Sequence, residues 1–286
     1  MGTLSRQAIR VCLTVLLGIL ASATLVRFAP GSNADPRELD LRLSEESLQS
    51  LRAERAARQS LPAFYLGYFR GLLRRDLGYS STFERPVTQL FAERIPVTFR
   101  LLSIGLAGGW LAALGLAALV CLARSAPVEQ AGTLLAGAVL AVPAAVMALV
   151  FLLLNGAAPA ALAAIVFPRI YRQAFDLLKS AGCLPHVLAA RARGVGPLRL
   201  FVCHTLPVAG PALAALAGVS VTICFGASIP VEVICDTPGI GQLAWQAALG
   251  RDLPVLVNVT FLLTLLTLAA RISTDAVRLP AAEGVE

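Results

Sequence analysis

Long, nearly charge-free apolar runs constrain this chain more than any other feature. Leu101 to Leu122 holds no charged residue, and Pro211 to Ile234 holds only Glu232. A helix needs about 20 apolar residues to cross the hydrocarbon core of a bilayer, and each of these runs is that long. Only 14% of the 286 residues are charged, while 57% are hydrophobic. An average soluble domain carries roughly 25% charged residues, so the apolar surplus here must face lipid. Aromatics make up just 6%. The apolar mass is therefore small and aliphatic, which suits closely packed membrane helices.

Four other runs complete the pattern. Ile9 to Val26 follows Arg6 and Arg10. Its basic start and Ala21-Ser22-Ala23 also fit a cleaved signal peptide, but the apolar run continues past Ala23, which favours an uncleaved first span. Ala131 to Leu154 carries Pro143, and Pro254 to Ala270 is closed by Arg271. Ala157 to about Ile170 is short, is broken by Pro168, and must borrow Tyr171 to Leu178 to reach across. The expected fold is an all-α integral membrane protein of about six transmembrane helices. Residues 1–28 form the first, 29–97 an extracytoplasmic segment, and 98–286 a five-helix core. Within 29–97, charges of both signs predict a helix from Ser44 towards Arg58, with short amphipathic pieces at Leu66–Leu73 and Val87–Ala92.

Charge sets the orientation. The formal net charge is +7, and Lys179 is the only lysine. Arg169, Arg172, Lys179, Arg191, Arg193 and Arg199 face a single acid, Asp176, between the fourth and fifth spans. Positive residues stay in the cytoplasm, so six spans place this segment and both termini there and Asp236–Asp252 outside. No basic stripe is interleaved with aromatics, which argues against nucleic-acid binding. No catalytic constellation stands out, and no Gly-rich phosphate loop with a lysine is present, so the chain is not read as an enzyme. The six cysteines form neither a CxxC pair nor a disulfide framework.

Leu184 to Pro211, LPHVLAARARGVGPLRLFVCHTLPVAGP, is the most informative stretch. It reads as a short helix from Val187 to Arg193, a Gly194–Pro197 turn, a second helix from Leu198 to Thr205, and a proline-rich start to the next span. Ala189, Ala190 and Ala192 would give one face for close backbone approach, with Arg191 and Arg193 opposite to pair with acids. The plainer alternative is an ordinary basic cytoplasmic loop.

This elbow resembles the cytoplasmic coupling motif of binding-protein-dependent ABC transporter permeases. More specifically, the chain resembles the first permease of dipeptide, oligopeptide and nickel import systems. Val26-Arg27-Phe28-Ala29-Pro30-Gly31 is similar to the family's LVRLAPG. Tyr65 to Leu101 follows the family pattern, including Asp76-Leu77-Gly78 and Arg85-Pro86-Val87. Ala190-Arg191-Ala192-Arg193-Gly194 matches the coupling segment, and Pro238-Gly239-Ile240-Gly241 with Arg251-Asp252 and Pro254 matches an external PGxG…RDxP stretch. Two departures stand out. Pro185 occupies the usual place of an acid ahead of the alanines, and Leu154 runs almost directly into Ala157.

The resemblance implies a permease subunit that forms the pathway for peptides, nickel or another small solute by ATP-driven alternating access, with no cofactor and no metal of its own. Implied partners are a second homologous permease, cytoplasmic ATPase subunits that hydrolyse the ATP, an extracytoplasmic solute-binding protein, and the lipid bilayer of the bacterial inner membrane. In the coupling loop 183–206, ATPase docking would fall on Val187, Ala189, Ala190, Arg191, Ala192, Arg193, Gly194, Arg199 and His204. The external gate or binding-protein contact would fall on Pro238, Gly239, Gly241, Arg251 and Asp252.

Other features have plainer readings. Cys183, His186, Cys203 and His204 could form a metal quartet, but packing explains them more simply. Glu232 at the end of the fifth span either lines the pore or reaches water at the interface. Arg169 and Arg172 read as markers of the cytoplasmic boundary. Asn258-Val259-Thr260 fits a glycosylation acceptor but lies in a span. A stand-alone secondary transporter and a degenerate, non-transporting scaffold are the competing functions.

Overall fold

A computed structural model of the chain describes residues 71 and 76–282, with side chains through 269. The first span, the Val26–Gly31 motif, the Ser44–Arg58 helix and nearly all of Leu66–Leu73 lie outside the described residues. The chain divides into two compact units, Met1–Arg94 with Leu243–Thr264, and Ile95–Gln242 with Leu265–Glu286.

A small antiparallel hairpin opens the described part of the first unit. Strand β1 (Tyr79–Ser80) pairs with β2 (Arg85–Pro86) in the register Tyr79 to Pro86 and Ser80 to Arg85. Gly78 sits at φ +85°, where a side chain would be strained, and its carbonyl accepts the Val87 amide at 3.0 Å. Helix α1 follows, Val87–Ala123. The amphipathic piece expected at Val87–Ala92 is therefore the first turns of a long helix. Pro96 lies inside α1. A proline marks a helix boundary only as a tendency, and here the apolar run beyond it keeps the helix going.

Next come α2 (Ala126–Ala141), α3 (Ala144–Leu153), α4 (Ala158–Gly182), α5 (Pro185–Ala192) and α6 (Pro197–Leu200). A π-helical turn, Phe201–Thr205, joins α6 to α7 (Leu206–Ile234); α8 (Ile240–Leu249) and α9 (Leu253–Ala282) complete the order. Among the described residues, two helices are each long and apolar enough to cross a membrane, Val87–Ala123 and Pro197–Ile234. The span expected at Ala131–Leu154 is broken: α2 and α3 meet at 93°. Val142 is extended at ψ 124°, as a residue before proline tends to be, and Pro143 has no N–H to continue the ladder. The second short elbow helix is not separate either. It runs without a stop from Pro197 into α7, so Pro211 lies inside that helix and not at its start.

The weak span at Ala157–Ile170 becomes the continuous helix α4, which does borrow Tyr171–Leu178. It packs against α2, α3 and α7. Leu162, Val166, Ile170, Ala174 and Leu178 face inwards, each at most 1% exposed. Gly105 and Gly109 of α1 allow close approach: a Cβ on Gly105 would lie 2.8 Å from the Leu162 side chain, and one on Gly109 3.3 Å from the Ala163 carbonyl. This is the small-xxx-small device by which membrane helices gain van der Waals contact, since lipid offers no hydrophobic drive between them. The Trp110 indole donates to Ser220 Oγ at 2.9 Å and adds a polar tie between α1 and α7.

Candidate functional site

Three features of the second unit and one of the first carry the candidate chemistry. The elbow is built by local rules. Leu184 is extended (ψ 147°) ahead of Pro185, which occupies the first turn of α5, where a missing N–H costs nothing. The helix stops in a Schellman arrangement. Gly194 sits at φ +81°, its amide reaches the Arg191 carbonyl at 2.9 Å, and the Val195 amide reaches the Ala190 carbonyl at 3.3 Å. Val187, Ala190 and Leu200 form a small buried cluster with Val195 against it. Alanines and arginines are not segregated as expected. Only Ala190 turns inwards; Ala189, Arg191, Ala192, Arg193 and Arg199 are exposed, and His204 is half-buried in the π-helical turn.

At the far end of α7, Glu232 is fully buried. Its Oε2 accepts the amides of Gly241 at 2.6 Å and Gln242 at 3.2 Å. Thr98 Oγ1 donates to its Oε1 at 2.8 Å and accepts the Ile240 amide at 2.7 Å. The first three amides of α8 are thus satisfied by tertiary partners, with negative charge at the positive end of the helix dipole. This explains the PGxG spacing. A Cβ on Gly239 would strike the Glu232 carboxylate and Thr98 Oγ1, and one on Gly241 would lie 2.9 Å from Ile229 Cα. Pro238 is exposed beside them. Glu232 neither lines an open pore nor reaches water. It is a lock, and nothing in the sequence pattern pointed to Thr98 as its partner.

In the first unit, Asp252 plays a comparable part. It is fully buried and caps α9: Oδ1 accepts the Val255 amide at 3.3 Å, while Oδ2 accepts Ser80 Oγ at 2.5 Å and the Thr82 amide at 3.0 Å. Arg251 before it is exposed and left-handed (φ +54°), and Pro254 in the first turn needs no acceptor. Asn258 is 1% exposed, and its amide donates to the Leu77 carbonyl at 2.8 Å, so it is a structural tie and not a glycan acceptor.

Helix α4 carries a polar stripe opposite its buried face. Arg169, Arg172, Gln173, Asp176 and Ser180 are all exposed. Among the described residues the three charges make no ion pair, whereas Lys179 pairs with Glu129 in the first turn of α2. At 1.5 Å per residue, Asp176, Arg172 and Arg169 lie about 5, 10 and 15 Å along α4 from that pair, away from the elbow. Beside the stripe is a groove of about 630 Å³, lined by Gln173, Asp176 and Ser180 and, from α7, Val208, Ala212 and Val219. Cys183, His186 and Cys203 are exposed, and among the described residues no three His, Cys, Asp or Glu side chains gather as metal ligands.

The sequence profile of the binding-protein-dependent transport system inner membrane component matches residues 105–279. The chain belongs to this family. It is a permease subunit of an ATP-binding-cassette importer, a multi-pass protein of the bacterial inner membrane, and no enzymatic family is indicated. A Brucella suis protein named as a peptide permease is 26% identical over 309 residues, spanning 93% of this permease and 96% of its own length. The glutathione transport system permease protein of Pectobacterium atrosepticum is 25% identical over 277 residues, 88% of each chain. A chain of the inward facing MetNI methionine ABC transporter shares the fold, with a TM-score of 0.60 at 19% identity, over 67% of this permease and 96% of that chain.

Proposed function

We propose that this permease carries peptides, or a similar small zwitterionic solute, past the polar stripe of α4 by ATP-driven alternating access. One observation carries the reading: Asp176 lines a groove between α4 and α7, and two further charges without an ion pair among the described residues, Arg172 and Arg169, continue the same exposed stripe of α4. Such residues are too costly to face hydrocarbon and belong against a water-filled passage. Arg169 and Arg172 are accordingly pathway residues and not boundary markers. Both signs of charge, with the Gln173 amide between them, suit a solute that bears an amine, a carboxylate and peptide groups. The names of the Brucella and Pectobacterium relatives point the same way.

In this reading a second homologous permease completes the passage, and separate cytoplasmic subunits hydrolyse ATP. They dock on the exposed side of the elbow through Ala189, Ala192, Arg193 and Arg199. Val187 and Ala190 pack the elbow from within, and Gly194 makes its turn. Both termini are cytoplasmic. An extracytoplasmic binding protein meets exposed residues such as Pro238 and Arg251, while Gly239, Gly241 and Asp252 hold the shape of their turns. The cycle is a switch between two packings of a helix bundle, driven from outside the chain.

Copurification from native membranes is expected to bring a second permease and ATPase subunits; a chain that purifies alone yet still transports is a secondary transporter. In proteoliposomes of the whole complex, Asp176→Asn is expected to cut peptide uptake at least roughly tenfold, the loss of one charge-assisted contact of about 1.5–3 kcal/mol. Unchanged uptake would remove the stripe from the pathway.

A further inference from the structure

A second cavity lies on the elbow side of the second unit, where α1 turns into α2. Its volume is about 210 Å³, and it is bounded by the ends of α1 and α4, the start of α2, and the elbow helices α5 and α6. Three cations line it, Arg124, Lys179 and Arg191, against one acid, Glu129. Lys179 is committed to Glu129 and also lies 5.5 Å from the Phe175 ring centroid. Arg124 and Arg191 are exposed and make no ion pair among the described residues. The remaining wall is apolar, including Leu122, Phe175, Leu188 and Phe201.

We infer that this cavity binds the phosphate headgroup of an anionic phospholipid, held between Arg124 on the bundle and Arg191 on the elbow. Two unpaired guanidiniums beside an apolar wall, at the ends of membrane helices, complement a group that is negative at one end and apolar at the other. Guanidinium planes hold phosphate oxygens in forked pairs, so a single headgroup can bridge both residues. The volume admits a phosphate and its waters but not an acyl chain, which would leave through the mouth. Arg191 thereby acquires a role apart from the outward residues of α5. The lipid fastens the elbow to the turn between α1 and α2 and makes the set of the elbow depend on membrane composition.

The test is native mass spectrometry of the purified full-length chain, loaded with equal phosphatidylglycerol and phosphatidylcholine. Wild type is expected to retain phosphatidylglycerol preferentially. Arg124→Gln with Arg191→Gln is expected to lower that preference on the order of tenfold, and Arg193→Gln, which alters a residue outside the cavity lining, to leave it unchanged. A second readout needs no variant. Cys183 lines the cavity and is exposed, so its maleimide labelling is expected to slow in phosphatidylglycerol nanodiscs relative to phosphatidylcholine. Equal retention of the two lipids by wild type, or equal labelling in both nanodiscs, overturns the proposal. So does protection of Cys183 by inorganic phosphate alone, which would assign the cavity to a soluble anion.

Discussion

The two ends of α7 are held in different ways. Its C-terminal end is fixed by a buried carboxylate that gathers a hydroxyl and two backbone amides from two other helices. Its N-terminal end passes through a π-helical turn into an elbow secured by three buried side chains and Val195. Buried charge-assisted hydrogen bonds are strong and directional, whereas a few small apolar contacts can slide. Single π-turns are often found at functional sites in helices. One end is thus an anchor and the other a compliant handle. A continuous helix between them is suited to turning a push on the elbow into a tilt about the Glu232 lock.

The largest expected effect is at the anchor. Glu232→Ala leaves the amides of Gly241 and Gln242 and the Thr98 hydroxyl without their buried acceptor. The cost is about 4 kcal/mol, which corresponds to a fall of roughly 10 °C in apparent Tm, read by thermal unfolding in detergent. A loss of about 1 kcal/mol or less would show that the carboxylate is no lock. Gly239→Ala comes next, at about 1–3 kcal/mol, because its Cβ has no room beside the carboxylate and Thr98. The pair sharpens the argument, since the two shortest contacts are with the carboxylate and only the Thr98 contact remains without it. In a Glu232→Ala background, Gly239→Ala is expected to cost markedly less than it does alone.

How much of this was written in the residues differs along the chain. The elbow was legible because its main cue is local: Gly194 opens the turn after the first short helix, although that helix starts at Pro185 and not at Val187. The apolar spans at Leu101–Leu122 and Pro211–Ile234 were legible because lipid contact demands continuous hydrophobicity. Helix α4 read as weak for the opposite reason. One face is buried in protein and the other is polar, so its average conceals a strong pattern. The bend at Pro143 was visible as a proline, but its 93° angle depends on how α3 packs against α4 and α7. The Glu232 lock was out of reach. Thr98 stands 134 positions away, and no spacing rule links a threonine on one helix to an acid at the end of another. Asp252 fell in between: an acid two residues before a proline signals a helix cap, yet its hold on Ser80 and Thr82 is long-range.

Thr98→Val tests the lock from the other side with little change in shape. It leaves the Ile240 amide without an acceptor and removes one donor from Glu232, for an expected loss of about 1–2 kcal/mol. Chemical unfolding should show a shifted midpoint with an unchanged slope. A loss as large as that of Glu232→Ala would mean that the threonine, and not the carboxylate, organises the turn.

The smallest stability effect is expected at the handle. A Cβ on Gly194 would meet nothing within 4 Å, so Gly194→Ala introduces only the strain of a left-handed backbone, about 1 kcal/mol. Asparagine tolerates that conformation better than alanine, so Gly194→Asn should recover part of the loss. The two variants therefore separate backbone strain from any loss of contact. If the elbow is compliant, Gly194→Ala changes the unfolding temperature by only a few degrees while lowering transport-coupled ATPase activity in the assembled complex, and Gly194→Asn recovers part of both. If instead both substitutions destabilise the chain as much as Gly239→Ala, the elbow is held as tightly as the anchor. A push on it would then have no soft end from which to start.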